Sequence, residues 1–252
     1  MNQPLIQLLG VNKKFGNNTV LRDVNLSIYK GEVTTIMGKS GVGKSVLLKL
    51  IIGLMDPDSG RILFNGSSLA KMSKSEKKGF KKKISYMFQG SALFDFMTVF
   101  ENIALPLTET TSLKPDEIER SVHNMLGQLD LYNIDEKYPS QLSGGMKKRV
   151  AMARALVIDP EIVLFDEPTT GLDPIRKNAV HDMISNYQKK FRFTGVIVSH
   201  EIPDIFYISQ RVAMLDRGRV TIEGTPEEIQ TASNAVVQNF IKGIDIHGTE
   251  ES

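Results

Sequence analysis

The segment Gly38-Lys39-Ser40-Gly41-Val42-Gly43-Lys44-Ser45 has the residue types and spacing needed to hold the phosphates of a nucleotide. Its glycines let backbone N–H groups wrap an anion without Cβ clashes. A helix expected to begin near Lys44 would add its positive dipole end. Lys44 would reach the β- and γ-phosphates, and Ser45 would offer a hydroxyl to Mg²⁺. A second constellation is Ile162-Val163-Leu164-Phe165-Asp166-Glu167, an apolar strand that ends in two acids. Side chains alternate along a strand, so the two carboxylates point differently and can take separate tasks. Asp166 would hold Mg²⁺, and Glu167 would orient or deprotonate an attacking water. A third is Leu142-Ser143-Gly144-Gly145-Met146. Ser143 and the amides of Gly144 and Gly145 would cap a basic helix starting near Met146, which is an anion site made of free N–H groups and a dipole.

These groups need an α/β scaffold. The β-rich run Val33–Met37 precedes the phosphate loop, and a helical apolar pattern over Val46–Leu54 follows it. Short strands with turns are expected over residues 5–36, and a hairpin over Gly60–Gly66. Residues 106–160 read as helix throughout, broken at Pro115 and Pro139. Strand character returns at Ile162–Phe165 and Val196–Val198, with a helical pattern over 175–190 between them. Continuous apolar strands alternating with helices indicate a buried, mostly parallel sheet.

Composition narrows the function classes. Among 252 residues, 41% hydrophobic and 24% charged is ordinary for a globular protein, and a net charge of +2 is too small to indicate a nucleic-acid footprint, so no nucleic-acid partner is expected. The absence of cysteine excludes disulfides and thiolate metal sites. The four histidines, at 123, 181, 200 and 247, are scattered. No stretch approaches the roughly 20 apolar residues of a membrane span, and no secretion signal is visible at the N-terminus, so any membrane role is expected to run through a partner.

Along almost its whole length the chain resembles the ATP-binding subunits of ABC transporters. The resemblance rests on the phosphate loop, on Asp166-Glu167 and on Ser143-Gly144-Gly145, which looks like that family's signature motif. It implies a P-loop NTPase fold: a RecA-like core with a mixed sheet, an antiparallel β-subdomain and an inserted α-helical subdomain. It also implies that the signature motif meets the γ-phosphate held by the phosphate loop of a second copy, sandwiching two ATP molecules head to tail. Phe15 matches the aromatic that stacks on adenine, with a core phenylalanine as the plain alternative. Gln89 matches the glutamine that touches Mg²⁺ or the attacking water and senses the membrane partner. Asp173 matches the loop that communicates across the dimer, and His200 the switch histidine on the γ-phosphate. The expected division is a single ATPase domain over 1–244. Its core and β-subdomain span 1–87 and 161–225, the helical part about 88–160 and C-terminal helices 226–244, with a flexible tail at 245–252.

Within the family the chain is most similar to the Mla-type (maintenance of lipid asymmetry, toluene tolerance) lipid-transport ATPases. The cues are Phe88–Asp95, Met97–Leu107, Met146 and Phe165–Ile175. The implied setting is the cytoplasmic face of the inner membrane, held by permease subunits, in a complex with a periplasmic lipid-binding protein and a small STAS-like subunit. Phe94, Phe96, Met97 and Phe100 could form a groove for a permease helix or the inner face of the helical subdomain; both readings stay open. Lys71–Lys83 holds seven lysines and one acid, Glu76. The ordinary reading is a solvated segment, and contact with anionic headgroups is the sharper one. Competing functions are an amino-acid or metal importer and a soluble ABC ATPase acting on nucleic acid or ribosomes. A GTPase switch is disfavoured because it leaves Phe15 and Ser143–Gly145 without a role.

Overall fold

Apolar runs buried on both faces and helices buried on one face alternate in a computed structural model that describes residues 3–88 and 90–242. Gln89 and the expected tail at 245–252 lie outside the described residues. In chain order the elements are β1 (Ile6–Phe15), β2 (Asn18–Ile28), β3 (Val33–Met37), α1 (Lys44–Ile51), β4 (Ser59–Phe64), β5 (Ser67–Ser68), α2 (Lys74–Lys82) and β6 (Ile84–Met87). There follow α3 (Val99–Thr110), α4 (Pro115–Gln128), α5 (Gly144–Leu156), β7 (Ile162–Asp166), α6 (Pro174–Phe191) and β8 (Thr194–Ser199). The chain continues through α7 (Ile205–Ile208), β9 (Arg211–Asp216), β10 (Arg219–Gly224), α8 (Pro226–Thr231) and α9 (Ala235–Ile241). These form two compact units, one from residues up to Lys77 together with those from Thr194 onward, the other from Lys78–Phe193.

The first unit contains an antiparallel sheet in the order β2-β1-β4-β5. Its register pairs Ile6 with Ile28 and Leu8 with Leu26, so buried side chains line one face. The expected hairpin over Gly60–Gly66 is β4–β5. The unit also contains strands in the order β10-β9-β3-β8, with β3 parallel to both β8 and β9. Every residue of β3 and β8 is buried, as parallel strands covered on both faces require. Helices α8 and α9 insert Ile229 and Val237 into a cluster with Met37, Ile205, Val212 and Met214.

In the second unit β6 and β7 run parallel, with Met87 opposite Phe165. Helix α3 starts at a capping box in which Glu101 N–H donates to Thr98 Oγ1 at 3.2 Å and Thr98 N–H to Glu101 Oε2 at 2.7 Å. Pro115 opens α4 and Pro174 opens α6, where a missing N–H costs nothing. One expectation fails: residues 129–138 are not helical. Helix α4 stops at Gln128, Asp130 follows at φ 55° and Asn133 at φ 57°, and Leu129, Leu131 and Ile134 are buried without the spacing of one helix face.

Candidate functional site

Three elements of the first unit carry candidate residues. The phosphate loop leaves the carboxyl end of β3 and enters α1, as expected. Gly43 caps α1 at φ 110°, and a Cβ there would come within 2.9 Å of Val20 Cγ1 and 3.1 Å of Leu21 Cδ2. Gly38 is fixed by close approach instead: its Cβ would lie 2.4 Å from the backbone oxygen of Leu215. Only glycine satisfies either position. Lys44 is 4% exposed, and its Nζ donates to the carbonyls of Gly38 at 2.8 Å and Lys39 at 3.0 Å. The cation is thus drawn back over its own loop by neutral acceptors, which anionic phosphate oxygens would outcompete. No acid occupies the first turn of α1, so its dipole end favours an anion.

Register supplies the next candidate. Met37 of β3 pairs with Ser199 of the parallel β8, so Gly38 and His200 leave adjacent strand ends side by side. His200 is exposed there, at the carboxyl edge where ligands of open α/β sheets bind. Phe15 closes β1 and is 45% exposed, with Lys13 Nζ 5.7 Å from its ring centre. That exposure favours a stacking surface over the plain core alternative.

The other candidates belong to the second unit. Asp166 ends β7 and accepts a 2.7 Å hydrogen bond from Tyr86 Oη on the paired strand. Burial, reinforced by that carboxylate, pushes the Tyr86 phenol far above its ordinary pKa and keeps it a donor. Glu167 follows at φ 48°, an uncommon conformation for a non-glycine residue, and accepts from Thr170 Oγ1 at 2.9 Å. The two acids thus take different hydrogen-bond partners.

Ser143 caps α5, accepting from Met146 N–H at 3.3 Å, and the helix begins at Gly144 rather than near Met146. Ser143, Gly144 and Gly145 are exposed and help line an about 790 Å³ cavity with Lys148, Arg149 and Arg176. Lys148 Nζ donates to Pro168 O at 2.7 Å, tying α5 to the turn after Glu167. Asp173 caps α6, accepting from Arg176 N–H at 3.1 Å, with Arg176 Nε 3.2 Å from its other oxygen. The carboxylate of Asp166 and the hydroxyl of Ser45 are hard oxygen donors suited to Mg²⁺, which takes few protein ligands beside substrate phosphates and water.

Two positioning residues escaped the sequence reading. Asn102 is fully buried and bonds Phe94 N and the carbonyls of Phe94, Met97 and Thr98, at 2.9–3.1 Å. Arg154 donates to the carbonyls of Ser91 at 2.9 Å and Ala92 at 2.8 Å. Together they fix the loop ahead of α3. Phe94 and Phe96 are exposed with ring centres 5.6 Å apart, and the inner face is filled by Val99, Ile103 and Leu107. That exposure speaks against the inner-face reading for Phe94 and Phe96, but the four residues do not line one common groove. Phe94, Phe88, Tyr86, Pro106 and Arg154 line an about 490 Å³ cavity, while Met97 and Phe100 line another of about 470 Å³.

A sequence family described as ABC transporter matches residues 21–170. The chain is 36% identical over 243 residues to the intermembrane phospholipid transport system ATP-binding protein MlaF of Haemophilus influenzae, covering 96% of this chain and 92% of that protein. It is 37% identical over 238 residues to the probable ribonucleotide transport ATP-binding protein mkl of Mycobacterium bovis, covering 94% of this chain and 66% of that protein. Among solved structures, the ATP-binding cassette MJ0796, a dimer in a post-hydrolysis state bound to ADP and Pi, matches with a TM-score of 0.75 at 31% identity, covering 88% of this chain and 98% of that one.

Proposed function

The chain belongs to the ABC transporter family of ATP-binding proteins, and from that premise we propose that it is the ATP-hydrolysing subunit of a transporter that moves phospholipid between bacterial membranes. The observation that carries the ATPase reading is the glycine-fixed loop with Lys44 buried against its own carbonyls. The similarity to MlaF over nearly the whole length of both proteins supports the lipid cargo.

In this reading Phe15 stacks on adenine, residues Gly38–Ser45 wrap the phosphates and His200 contacts the γ-phosphate. Ser143–Gly145 of a second copy grips that same γ-phosphate, so contacts across the dimer exist only while the triphosphate is intact. That difference between states is what lets a ligand drive a conformational switch. Glu167 accepts the proton of the attacking water, with Thr170 orienting its carboxylate. Mg²⁺, held by Ser45, Asp166 and Gln89, would neutralise charge on the phosphate oxygens. Asp173 serves communication between the copies.

The partners in this proposal are a second copy, integral permease subunits, a periplasmic lipid-binding protein and a STAS-like subunit. The chain sits at the cytoplasmic face of the inner membrane. Among the described residues no helix is long and apolar enough to cross a membrane, so the permease supplies the attachment. The test is reconstitution of the chain with its permease in vesicles carrying a fluorescent phospholipid. ATP-dependent lipid transfer is expected. ATP-dependent uptake of ribonucleotides, amino acids or metal ions without lipid transfer would overturn the cargo.

A further inference from the structure

Helix α2 is where the lysine run of the sequence acquires a shape. At about 100° per residue, Lys74, Lys77, Lys78 and Lys81 fall within an arc of about 100°, and Lys82 widens it to about 140°. All five are exposed. Phe80 is the buried residue of the helix and lies outside this arc. Glu76 lies on the far side and is engaged in capping, with Ser73 N–H donating to its Oε2 at 2.7 Å. Lys83 is drawn off to Glu161, at 3.4 Å. The lysine face is therefore left unneutralised by the helix's own acid.

We propose that this face is an electrostatic contact for the anionic headgroups of a phospholipid bilayer. Charge complementarity selects the occupant. Lysine fills every basic position of the run, and a mobile ammonium suits a fluid array of headgroups better than the planar fork of arginine, which suits a fixed phosphate. Apolar surface lies alongside: Lys81 lines the same cavity as the exposed rings of Phe88 and Phe94, together with Glu109. A contact of this kind would hold the subunit's groove close to the membrane plane and raise the rate at which it finds its permease. The orientation of the face toward the bilayer rests on the transporter reading above.

Sedimentation of the full chain with vesicles tests the proposal. Phosphatidylcholine vesicles with and without phosphatidylglycerol are compared at low and high salt. The chain should bind the anionic vesicles alone and release at high salt, because screening shortens the reach of exposed charges. Each lysine near an anionic surface raises the partition constant about fivefold, so K74Q/K77Q/K78Q/K81Q should lower it at least about a hundredfold. All four positions are solvent-facing, so ATP hydrolysis by the variant should be unchanged. If the quadruple variant loses hydrolysis, the exposed pair K74Q/K78Q carries the same test. Equal binding to neutral vesicles, equal binding by the variant, or tighter binding to a DNA duplex would overturn the proposal. No permease is present in this assay. Failed vesicle binding with intact permease assembly rejects the lipid contact alone, and the converse rejects the permease reading alone.

Discussion

Replacing Glu167 with glutamine separates catalysis from structure unusually well at this position. The glutamine carbonyl can still accept the hydrogen bond that Thr170 Oγ1 donates at 2.9 Å. The backbone strain of φ 48° is shared by both side chains. Because the glutamine keeps the side-chain shape and that bond, folding stability should change by no more than about 1 kcal/mol. What glutamine cannot do is accept a proton from water. A positioned general base contributes about 10²–10⁴-fold, or roughly 3–5 kcal/mol of barrier. We therefore expect Glu167→Gln to release phosphate at about 1% of the wild-type rate or less, with unchanged ATP affinity and little change in melting temperature. With hydrolysis blocked, the closed pair should accumulate, visible as an ATP-dependent dimer by size exclusion. Hydrolysis within about tenfold of wild type would refute Glu167 as the base. Slow hydrolysis without any ATP-dependent dimer would refute the two-copy mechanism and leave the base assignment standing.

Lys44→Ala should weaken ATP binding at least about tenfold, since a charge-assisted contact to phosphate is lost; an unchanged titration would reject the role of Lys44. Asp173→Ala should cost about 1 kcal/mol through the lost helix cap, whereas Asp173→Asn should keep it. Thermal melts report the cap, and an asparagine variant that melts normally yet hydrolyses ATP normally would exclude the carboxylate from dimer communication. Gly38→Ala drives a Cβ against the Leu215 carbonyl, 2.4 Å away, and should destabilise by about 1–3 kcal/mol. The melting point would then fall roughly 2–4 °C per kcal/mol, and an unshifted melt would show that the loop can yield.

The legible parts of this fold and site are those where one residue type is nearly obligatory. Gly43 and Gly38 cannot be substituted without strain, so their spacing to Lys44 and Ser45 is written plainly in the chain. The strands β7 and β8 show as the apolar runs Ile162–Phe165 and Val196–Val198, whereas β3 is buried throughout although it carries Thr34 and Thr35. Asn102 and Arg154 were not legible, because each bonds backbone carbonyls of a loop. A carbonyl carries no sequence signal, and an asparagine inside a helix reads as an indifferent choice. The segment 129–138 misled because it lies between two helices and holds no proline or glycine before Pro139, while the left-handed residues Asp130 and Asn133 are of types that adopt this conformation more readily than most. The Ser143 cap was legible, and α5 starts two residues ahead of the expected Met146 because Gly144 and Gly145 already form its first turn.

The contact of Gly43 with Val20 and Leu21 has a consequence for how a nucleotide is measured. Phe15 and Asn18 close the hairpin from which Val20 and Leu21 run on along β2, so the shelf offered to the base and the cradle offered to the phosphates share one girder. Their separation is set by the covalent chain and the hydrogen bonds of the β1–β2 pair. If Phe15 holds the base as proposed, the pair would act as callipers that gauge how far a ligand extends.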